Sequence, residues 1–397
     1  EKLGVKKMNL FFRSWLCISW VLILSVAGLS VAQAQVIDDP FVVAWHQPWL
    51  KSSKDFSVLY KKWRKKGYEI IDVDSVGKYY SSVWRKSDGR DRRLRRDMSL
   101  SSYKEYSKQY KNKGYRKIDL DVYYSLPFTN IPEKLSALES PKYSAIWIKN
   151  TKNLKWTSFT NLTSPQLKTA IKKYKKIGFI PIDLEGYVVK NNKLRYAIIL
   201  VKNKGNIPWE IKYNLNWKEY KGVNKYFKLK NYRLIDFEAY LKDRRLKSIK
   251  KGNSQYYAGI WVKNKGNRDT VFEFDQTKLE YLNLIRTLRD KGYRVIDFER
   301  YWTLKGYRFA GIFRQNGNRI NWKYRVAVDN KVKEYKDKNN TPGISVAVAK
   351  GGKIVYRRGF GYSDVKRKRV AHSETVYYTS SVGKSIGATL AMRMKEK

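Results

Sequence analysis

Ser381 and Lys384 are the two residues of this chain whose types and spacing predict chemistry. They lie in the segment YYTSSVGKSI, residues 377–386, at the predicted start of a helix. Positions i and i+3 share one face of a helix, so the amine of Lys384 can reach the hydroxyl of Ser381. A desolvated lysine beside another cation loses its proton near neutral pH, and the N–H groups of a helix N-terminus stabilise an oxyanion. The pair therefore predicts acyl transfer, with Ser381 as nucleophile and Lys384 as base.

The pattern Ser-x-x-Lys arises by chance in a chain this rich in lysine, so its surroundings must decide. It also begins at four other serines, Ser75, Ser101, Ser248 and Ser363. Upstream of Ser381, residues 328–335 have apolar side chains at helical spacing, and residues 343–350 and 353–361 alternate like two strands around a Gly-Gly turn. After the serine, one apolar stripe predicts a buried helix face: Val382, Ile386, Leu390 and Met394.

This order of helix, hairpin, loop and serine-bearing helix, with the landmarks TPGISVAV and YTSSVGKS, resembles the start of the superfamily of class C β-lactamases, penicillin-binding proteins and related esterases. The resemblance covers residues 325–397 and implies that Ser381 is acylated and that Lys384 accepts its proton. The family also uses a later Tyr-x-Asn and a later Lys- or His-x-Gly strand. Tyr110-Lys111-Asn112 has the letters of the first, but it precedes Ser381 and we reject it. We expect the chain to be a truncated enzyme that is inactive by itself.

A short core motif recurs five times between residues 40 and 320. A basic amphipathic helix precedes each copy, and Gly, or once Asn231, follows at the position of a left-handed cap. Each copy ends in two acidic residues separated by one apolar residue. The copies are GYEIIDVD (67–74), GYRKIDLD (114–121), GFIPIDLE (178–185), NYRLIDFE (231–238) and GYRVIDFE (292–299).

Short aromatic strands of the type YSAIW follow each core, which predicts a repeating unit of strand, strand, helix and strand. Units of this size cannot bury an apolar face alone, so they stack. We predict an α+β protein: a β-β-α-β tandem-repeat domain of about five units (residues 35–322), followed by the first part of a β-lactamase-like α/β serine hydrolase domain (residues 323–397).

The repeats resemble bacterial tandem repeats that are fused upstream of β-lactamase-like serine hydrolases. The same two-part arrangement occurs in the polyglycine hydrolases, secreted endopeptidases that act on glycine-rich linkers. The resemblance implies a secreted hydrolase whose repeats position a macromolecular substrate.

The acidic pairs of the five cores admit a catalytic and a structural interpretation. Strand pleating is expected to place Asp297 and Glu299 on one face and Ile296 and Phe298 on the other. Acidic pairs serve as general acid and base or as calcium ligands. An active site is not normally copied five times, so we favour structural pairing with Lys, Arg or Tyr side chains of adjacent strands. We also expect three repeated tryptophans to be core residues: Trp84, Trp147 and Trp261.

The composition favours a folded, strongly basic protein. Lys and Arg number 84 against 35 Asp and Glu, which gives a net charge of +49, and 42% of the residues are hydrophobic. Such a charge favours polyanionic partners, whereas the alternative is lysines scattered over solvated faces. The two histidines, His46 and His372, have no ligand cluster at metal-binding spacing, and no glycine-rich phosphate loop is present, so we expect neither metal nor cofactor. A Ser–His–Asp triad through His372 is conceivable but less favoured, because His372 follows a basic loop.

The N-terminal segment has the three parts of a secretory signal peptide. Met8 is the expected start, followed by Arg13, an apolar run over residues 15–31 and Ala32-Gln-Ala34, with cleavage after Ala34. A permanent membrane anchor is the alternative. Cys17 lies within this segment, so the mature chain would contain no cysteine. We expect a secreted or periplasmic protein without a permanent membrane span.

Two function hypotheses follow. In the first, the protein is a secreted serine hydrolase that attacks a peptide, ester or lactam carbonyl through Ser381. In the second, the basic repeats bind anionic cell-envelope polymers or glycans, and the hydrolase portion is incomplete and inactive. A nucleic-acid partner fits the charge but not the signal peptide.

Overall fold

A computed structural model describes most of the chain beyond the predicted signal peptide, which lies outside the described residues. These are residues 40–48, 50–124, 140–244, 254–266, 268–303, 305–317, 322–378 and 380–396. The chain divides into two compact units. The first comprises residues 1–278 with 294–316, and the second comprises residues 279–293 with 317–397.

The first unit contains five small antiparallel sheets, and the last strand of each repeat is the middle strand of its sheet. Sheet 1 contains β1 (Trp45–His46), β2 (Lys51–Ser52), β3 (Tyr68–Val76) and β4 (Tyr79–Lys86); sheet 2 contains β5 (Arg92–Met98), β6 (Tyr115–Tyr123) and β7 (Lys142–Lys149); sheet 3 contains β8 (Trp156–Leu162), β9 (Phe179–Val189) and β10 (Lys193–Lys202); sheet 4 contains β11 (Trp209–Leu215), β12 (Tyr232–Leu241) and β13 (Gln255–Lys263); sheet 5 contains β14 (Thr270–Gln276), β15 (Tyr293–Thr303) and β16 (Gly306–Gln315). A short 3₁₀ helix, Lys190–Asn192, joins β9 and β10.

One helix follows the first edge strand of each sheet. The five helices are α1 (Ser53–Lys65), α2 (Leu100–Asn112), α3 (Ser164–Lys176), α4 (Trp217–Leu229) and α5 (Lys278–Asp290). The predicted α+β repeat is thus confirmed. The hydrogen-bonded unit runs strand, helix, strand, strand, which is the predicted cycle begun one strand later. The helix of the fifth repeat groups with the second unit.

The repeat helices begin and end as their sequences predict. The side chains of Ser52, Ser99, Thr163 and Asn216 accept backbone N–H groups of the first turns. At the C-terminal ends the predicted glycines, and Asn231 with φ of 56°, adopt the left-handed conformation.

Each hydrophobic core of the first unit is shared between neighbouring repeats. One core combines α2 and sheet 2 with residues of sheet 3, such as Ala197 and Ile199. A second core combines α3 and sheet 3 with residues of sheet 4. A third core combines α4 and sheet 4 with residues of sheet 5. The repeated tryptophans lie in these cores at 0–1% exposure, which confirms that prediction: Trp84, Trp147 and Trp261. No repeat therefore buries its apolar surface alone.

The five repeats close into a ring. Between consecutive repeats, a backbone N–H of one strand donates to a carboxylate of the next core, as Val73 does to Asp119 at 3.2 Å. The last repeat returns to the first, because the backbone N–H of Arg300 donates to Asp74 at 3.1 Å. Asn316 also exchanges two hydrogen bonds of 2.9 Å with the backbone of Val43.

The second unit contains α5, a helix–hairpin segment and a final helix. Its further elements are α6 (Arg325–Lys338), β17 (Gly343–Lys350), β18 (Lys353–Asp364), β19 (Arg369–Val370) and α7 (Val382–Lys395). Strands β17 and β18 form the predicted hairpin, and both turn glycines, Gly351 and Gly352, have positive φ. The carboxylate of Asp290 on α5 accepts the backbone N–H groups of Gly359 and Ser373 at 2.8 and 2.7 Å, which ties α5 to this segment.

Three of the four residues of the predicted apolar stripe of α7 are not buried, and the side chain of the fourth, Val382, lies outside the part of the chain that the structure describes. Ile386, Leu390 and Met394 are 65%, 62% and 72% exposed. The helix itself is present where the spacing predicted it, but no described element covers that face. Within the part of the chain that the structure describes, no helix is long and apolar enough to span a membrane.

Candidate functional sites

Ser381 and Lys384 lie at the start of α7, as the sequence predicts. Ser381 is the N-cap residue, and the backbone N–H of Lys384 donates to its carbonyl at 3.1 Å. Both side chains are exposed. The desolvation that a neutral lysine base requires is therefore not supplied by the described residues. The catalytic roles of the two residues stay predictions.

The hydroxyl of Ser381 differs from the capping groups of four repeat helices. At four repeat helices the N-cap side chain accepts a backbone N–H, whereas Ser381 makes no such hydrogen bond. The preceding residue, Ser380, has φ of 46°, a left-handed conformation that is costly for a residue with a side chain. Such strain recurs at active sites. The backbone thus presents an exposed hydroxyl that is not used for capping.

The neighbouring polar groups of the second unit are mostly engaged with one another. Ser345 on β17 donates to the carbonyl of His372 at 2.8 Å and lies 3.1 Å from the hydroxyl of Tyr377. The Nδ1 atom of His372 accepts the backbone N–H of Glu374 at 3.2 Å. Burial, together with Arg286, lowers the pKa of His372. This histidine is thus held within its loop, and the lysine hypothesis remains the favoured one.

The ten core carboxyl groups of the repeats face the centre of the ring. We call the space they line the axial channel. Its waist, about 20 Å³, is lined by both acidic residues of every repeat. One ring consists of Asp72, Asp119, Asp183, Asp236 and Asp297, and the other of Asp74, Asp121, Glu185, Glu238 and Glu299.

The carboxylates find different partners from those predicted. Several accept backbone N–H groups of the neighbouring repeat rather than Lys, Arg or Tyr side chains: Val122 donates to Glu185 at 3.0 Å, and Gly186 donates to Glu238 at 3.3 Å. The donors belong to the inner edge strands of the sheets, whose outward N–H groups have no strand partner. A side-chain ion pair is also present, between Arg300 Nε and Asp74 at 3.5 Å. Structural pairing through the backbone is thus the role of the acids that accept such N–H groups, which are Asp74, Asp119, Glu185, Glu238 and Asp297.

The expected alternation of apolar and acidic residues is broken at the first aspartate. The pairing register shifts between Leu234 and Asp236, and it shifts at the equivalent place in the other cores for which a register is given. Such a bulge inserts one residue into the inner strand. In consequence Ile235 and Asp236, and likewise Ile296 and Asp297, line the same cavity, which corrects the predicted placement on opposite faces.

Burial raises the pKa of these carboxyl groups. The pKa of Asp74 is raised to about 6, with Arg300 acting in the opposite direction, and that of Asp297 to about 7, despite the hydrogen bond from Phe237. Burial followed by nearby carboxylates also raises the pKa of Asp72 and Asp236. Part of the ring is therefore protonated at neutral pH in the absence of a cation.

Two repeated contacts were missed by the sequence reasoning. The tyrosines that follow the acidic pairs contact an Asp or Asn at a strand bulge: the hydroxyl of Tyr240 bonds with Asn214, and that of Tyr123 with Asp97. In addition, a lysine at the end of each of four middle strands donates to one backbone carbonyl, that of the residue directly after its repeat helix. These lysines are Lys86, Lys149, Lys202 and Lys263. The recurrence of Tyr two residues after four of the five acidic pairs was the available signal.

Two family models of known proteins match parts of this chain. A family model described as a polyglycine hydrolase-like structural repeat matches the chain five times, and each match coincides with one sheet of the ring. The matched residues are 43–87, 89–150, 153–203, 206–264 and 268–316, about two thirds of the chain.

The chain belongs to this repeat family. A second family model, described as beta-lactamase, matches residues 328–397. The arrangement of tandem repeats followed by a β-lactamase-like portion is therefore shown, in agreement with the resemblance found in the sequence. No curated protein matches the chain.

Proposed function

We propose that this protein is a serine hydrolase in which Ser381 forms the acyl-enzyme and Lys384 accepts its proton. The family matches support a hydrolase-related function. The observation that carries the assignment to Ser381 is its exposed hydroxyl at a helix N-terminus, free of any capping hydrogen bond and next to a strained Ser380. The substrate carries a peptide or ester carbonyl, and the repeats position it. The protein acts outside the cytoplasm after removal of residues 1–34.

The proposed chemistry is a balanced acyl transfer. Ser381 Oγ attacks the carbonyl carbon while its proton passes to the neutral amine of Lys384, and backbone N–H groups at the start of α7 face the developing oxyanion. Collapse of the tetrahedral intermediate returns the proton to the leaving group, and water then hydrolyses the acyl-enzyme. The amine must be shielded from water for this step. A bound substrate would provide that shielding over the exposed Lys384.

Labelling with a fluorophosphonate tests this proposal on the full-length secreted protein. The wild-type protein should be labelled, and Ser381→Ala should lose the label. Ser101→Ala is the matched control, because Ser101 and Lys104 form the same exposed pair in the first turn of α2. That variant should label as fast as the wild type. Absence of labelling in the wild type, or equal labelling of Ser381→Ala, would refute the proposal.

A second proposal rests on the charge of the repeats. The net charge is +49, and the exposed face of α3 carries lysines such as Lys168, Lys172 and Lys176. Such a surface favours binding to an anionic cell-envelope polymer. Residues 35–322 should then bind lipoteichoic acid or lipopolysaccharide with an affinity that falls steeply as salt rises. An affinity that does not change with salt would remove the electrostatic basis of this proposal.

A further inference from the structure

The axial channel of the repeat ring contains more carboxyl groups than arginine side chains that could pair with them. Two larger cavities share lining residues with the waist. One, of about 130 Å³, contains the five aspartates of the first ring and four arginines, and the other, of about 110 Å³, contains the five acids of the second ring and two arginines. Ten carboxyl groups thus face six guanidinium groups along the described walls. Buried charges require partners, so the excess favours a cation.

Oxygen atoms without partners point into this channel. The Oδ2 atoms of Asp72, Asp183 and Asp236 have no hydrogen-bond partner, although these residues are only 6–7% exposed. All three line both the waist and the larger cavity. A buried carboxylate oxygen without a donor carries a large desolvation cost. This orphaned set is a second indication, independent of the charge count, that a donor group belongs in the channel.

The second cavity adds aromatic walls to the acids. Its lining includes Tyr124, Tyr187, Tyr240 and Trp302 around the carboxylates of the second ring. Aromatic faces and carboxylates together form the surroundings in which organic ammonium groups bind. Both arginines of this cavity are already engaged, since Arg300 contacts Asp74 and the guanidinium of Arg244 lies 3.3 Å from the ring centre of Tyr124. The cavity therefore favours an alkylammonium ion.

The geometry argues against a single metal ion and for an elongated ligand. Among the described residues, no group of three or more His, Cys, Asp or Glu side chains is placed to hold a metal ion. The waist has room for about one water-sized group, since such a group needs roughly 10–15 Å³. An ammonium group, or one methylene of an aliphatic chain, is about the size of a water molecule and fits this volume. A linear molecule can therefore pass the waist and place one charge on each side.

We propose that the axial channel binds a linear aliphatic diamine or polyamine, with ammonium groups on both sides of the waist. The ligand would donate to the orphaned aspartate oxygens at one end and lie against the aromatic walls at the other. This site is separate from Ser381, so the proposal stands or falls independently of the hydrolase assignment. The net charge of +49 also disfavours nonspecific uptake of polyamines elsewhere on the protein.

Equilibrium dialysis of the full-length protein with spermidine and with 1,4-diaminobutane tests the proposal. We expect saturable binding of one molecule per chain at an ionic strength held constant with NaCl. Asp236→Asn removes one orphaned charge without changing the volume and should weaken binding at least tenfold. Glu105→Gln on the exposed face of α2 is the control and should bind like the wild type. Unchanged binding by Asp236→Asn, or no binding above the NaCl control, would overturn the proposal.

A comparison of ligands on the wild-type protein needs no variant and covers the case in which Asp236→Asn does not fold. A diamine that occupies both sides of the waist should bind at least tenfold more tightly than butylamine, which carries one charge. Equal affinity for the two amines would contradict a ligand that spans the waist. Tighter binding of Mg²⁺ or Ca²⁺ than of either amine would show that the channel is a metal site, which would also overturn the proposal.

Discussion

The ring of repeats and helix α7 of the second unit differ in how deeply they bury charged and apolar side chains. In the ring of repeats, carboxylates such as Asp236 are buried and the repeated tryptophans, Trp84, Trp147 and Trp261, are fully covered. In the second unit, Ser381 and Lys384 are exposed, and so is the apolar stripe of α7. The acidic pair is present in five equivalent copies in the ring. Ser-x-x-Lys sequences occur in both units, and Ser381 and Lys384 are the pair that lies at the start of a helix in the second unit. Repetition and burial therefore identify a framework, and exposure at a helix N-terminus identifies the candidate for chemistry.

The largest expected difference between the units concerns their apolar side chains. Trp261 is 1% exposed and its ring centre lies 5.1 Å from that of Phe227, whereas Leu390 is 62% exposed. Trp261→Ala should lower the free energy of unfolding of the ring by about 3–5 kcal/mol. Leu390→Ala should change the free energy of unfolding of the second unit by less than about 0.5 kcal/mol. Thermal unfolding followed by tryptophan fluorescence measures both. Comparable losses in the two variants would contradict the contrast.

The next effect concerns pH. Asp74 and Asp297 have a higher pKa in the folded ring than the ordinary value of 3.8, so the folded state binds protons more tightly than the unfolded state. Their contribution to stability is complete below about pH 4 and is lost as pH rises through about 6 and 7. For Asp74 alone the loss amounts to about 3 kcal/mol. The ring should therefore be less stable at pH 8 than at pH 5, measured by urea unfolding at constant ionic strength.

The groups that face these two carboxyls belong to the whole channel. They are the other eight core acids and the six lining arginines, Arg85, Arg116, Arg233, Arg244, Arg294 and Arg300. Asp297→Asn still offers an oxygen to the N–H of Phe237 and should flatten the dependence. A wild-type ring that gains stability from pH 5 to pH 8 would contradict this account.

The smallest effect separates structural from solvated lysines. Lys202 Nζ donates at 2.7 Å to the carbonyl of Ile177, the residue directly after helix α3. Lys172, which lies on α3, is exposed. Lys202→Met keeps most of the aliphatic stem but loses the hydrogen bond, and should cost about 1 kcal/mol. Lys172→Met should cost less than about 0.5 kcal/mol. Chemical denaturation measures the free energy of unfolding of both variants. Equal losses would mean that the hydrogen bond of Lys202 to the carbonyl of Ile177 contributes nothing to stability.

Much of the ring was predictable because its signals are local. Helix caps, turn glycines and the alternation of strands depend on neighbouring residues, and the recurrence of five cores revealed the number of repeats. The partners of the carboxylates were not predictable in this way. They depend on the bulge at Ile235 and on inner edge strands whose N–H groups meet the next repeat, and neither is visible within one repeat's sequence.

The candidate site was predictable in part for the same reason. The helix that begins at Ser381 and the hairpin before it follow from local spacing, and both are present. The burial of the α7 stripe was inferred from amphipathic spacing alone and was wrong for Ile386, Leu390 and Met394. Amphipathic spacing shows which face of a helix is apolar, but burial depends on what packs against that face. The role of Lys384 as a base likewise depends on what packs around its amine and shields it from water.

The most direct test of the central claim is to locate the adduct that a fluorophosphonate forms on the wild-type protein. After labelling, intact mass should show one adduct per chain, and peptide mapping should place it on Ser381. This measurement needs no substitution, so a folding defect cannot imitate the result. An adduct on another serine, above all on Ser75, Ser101 or Ser363 of the other Ser-x-x-Lys sequences, would contradict the claim that the reactive residue of this protein is Ser381.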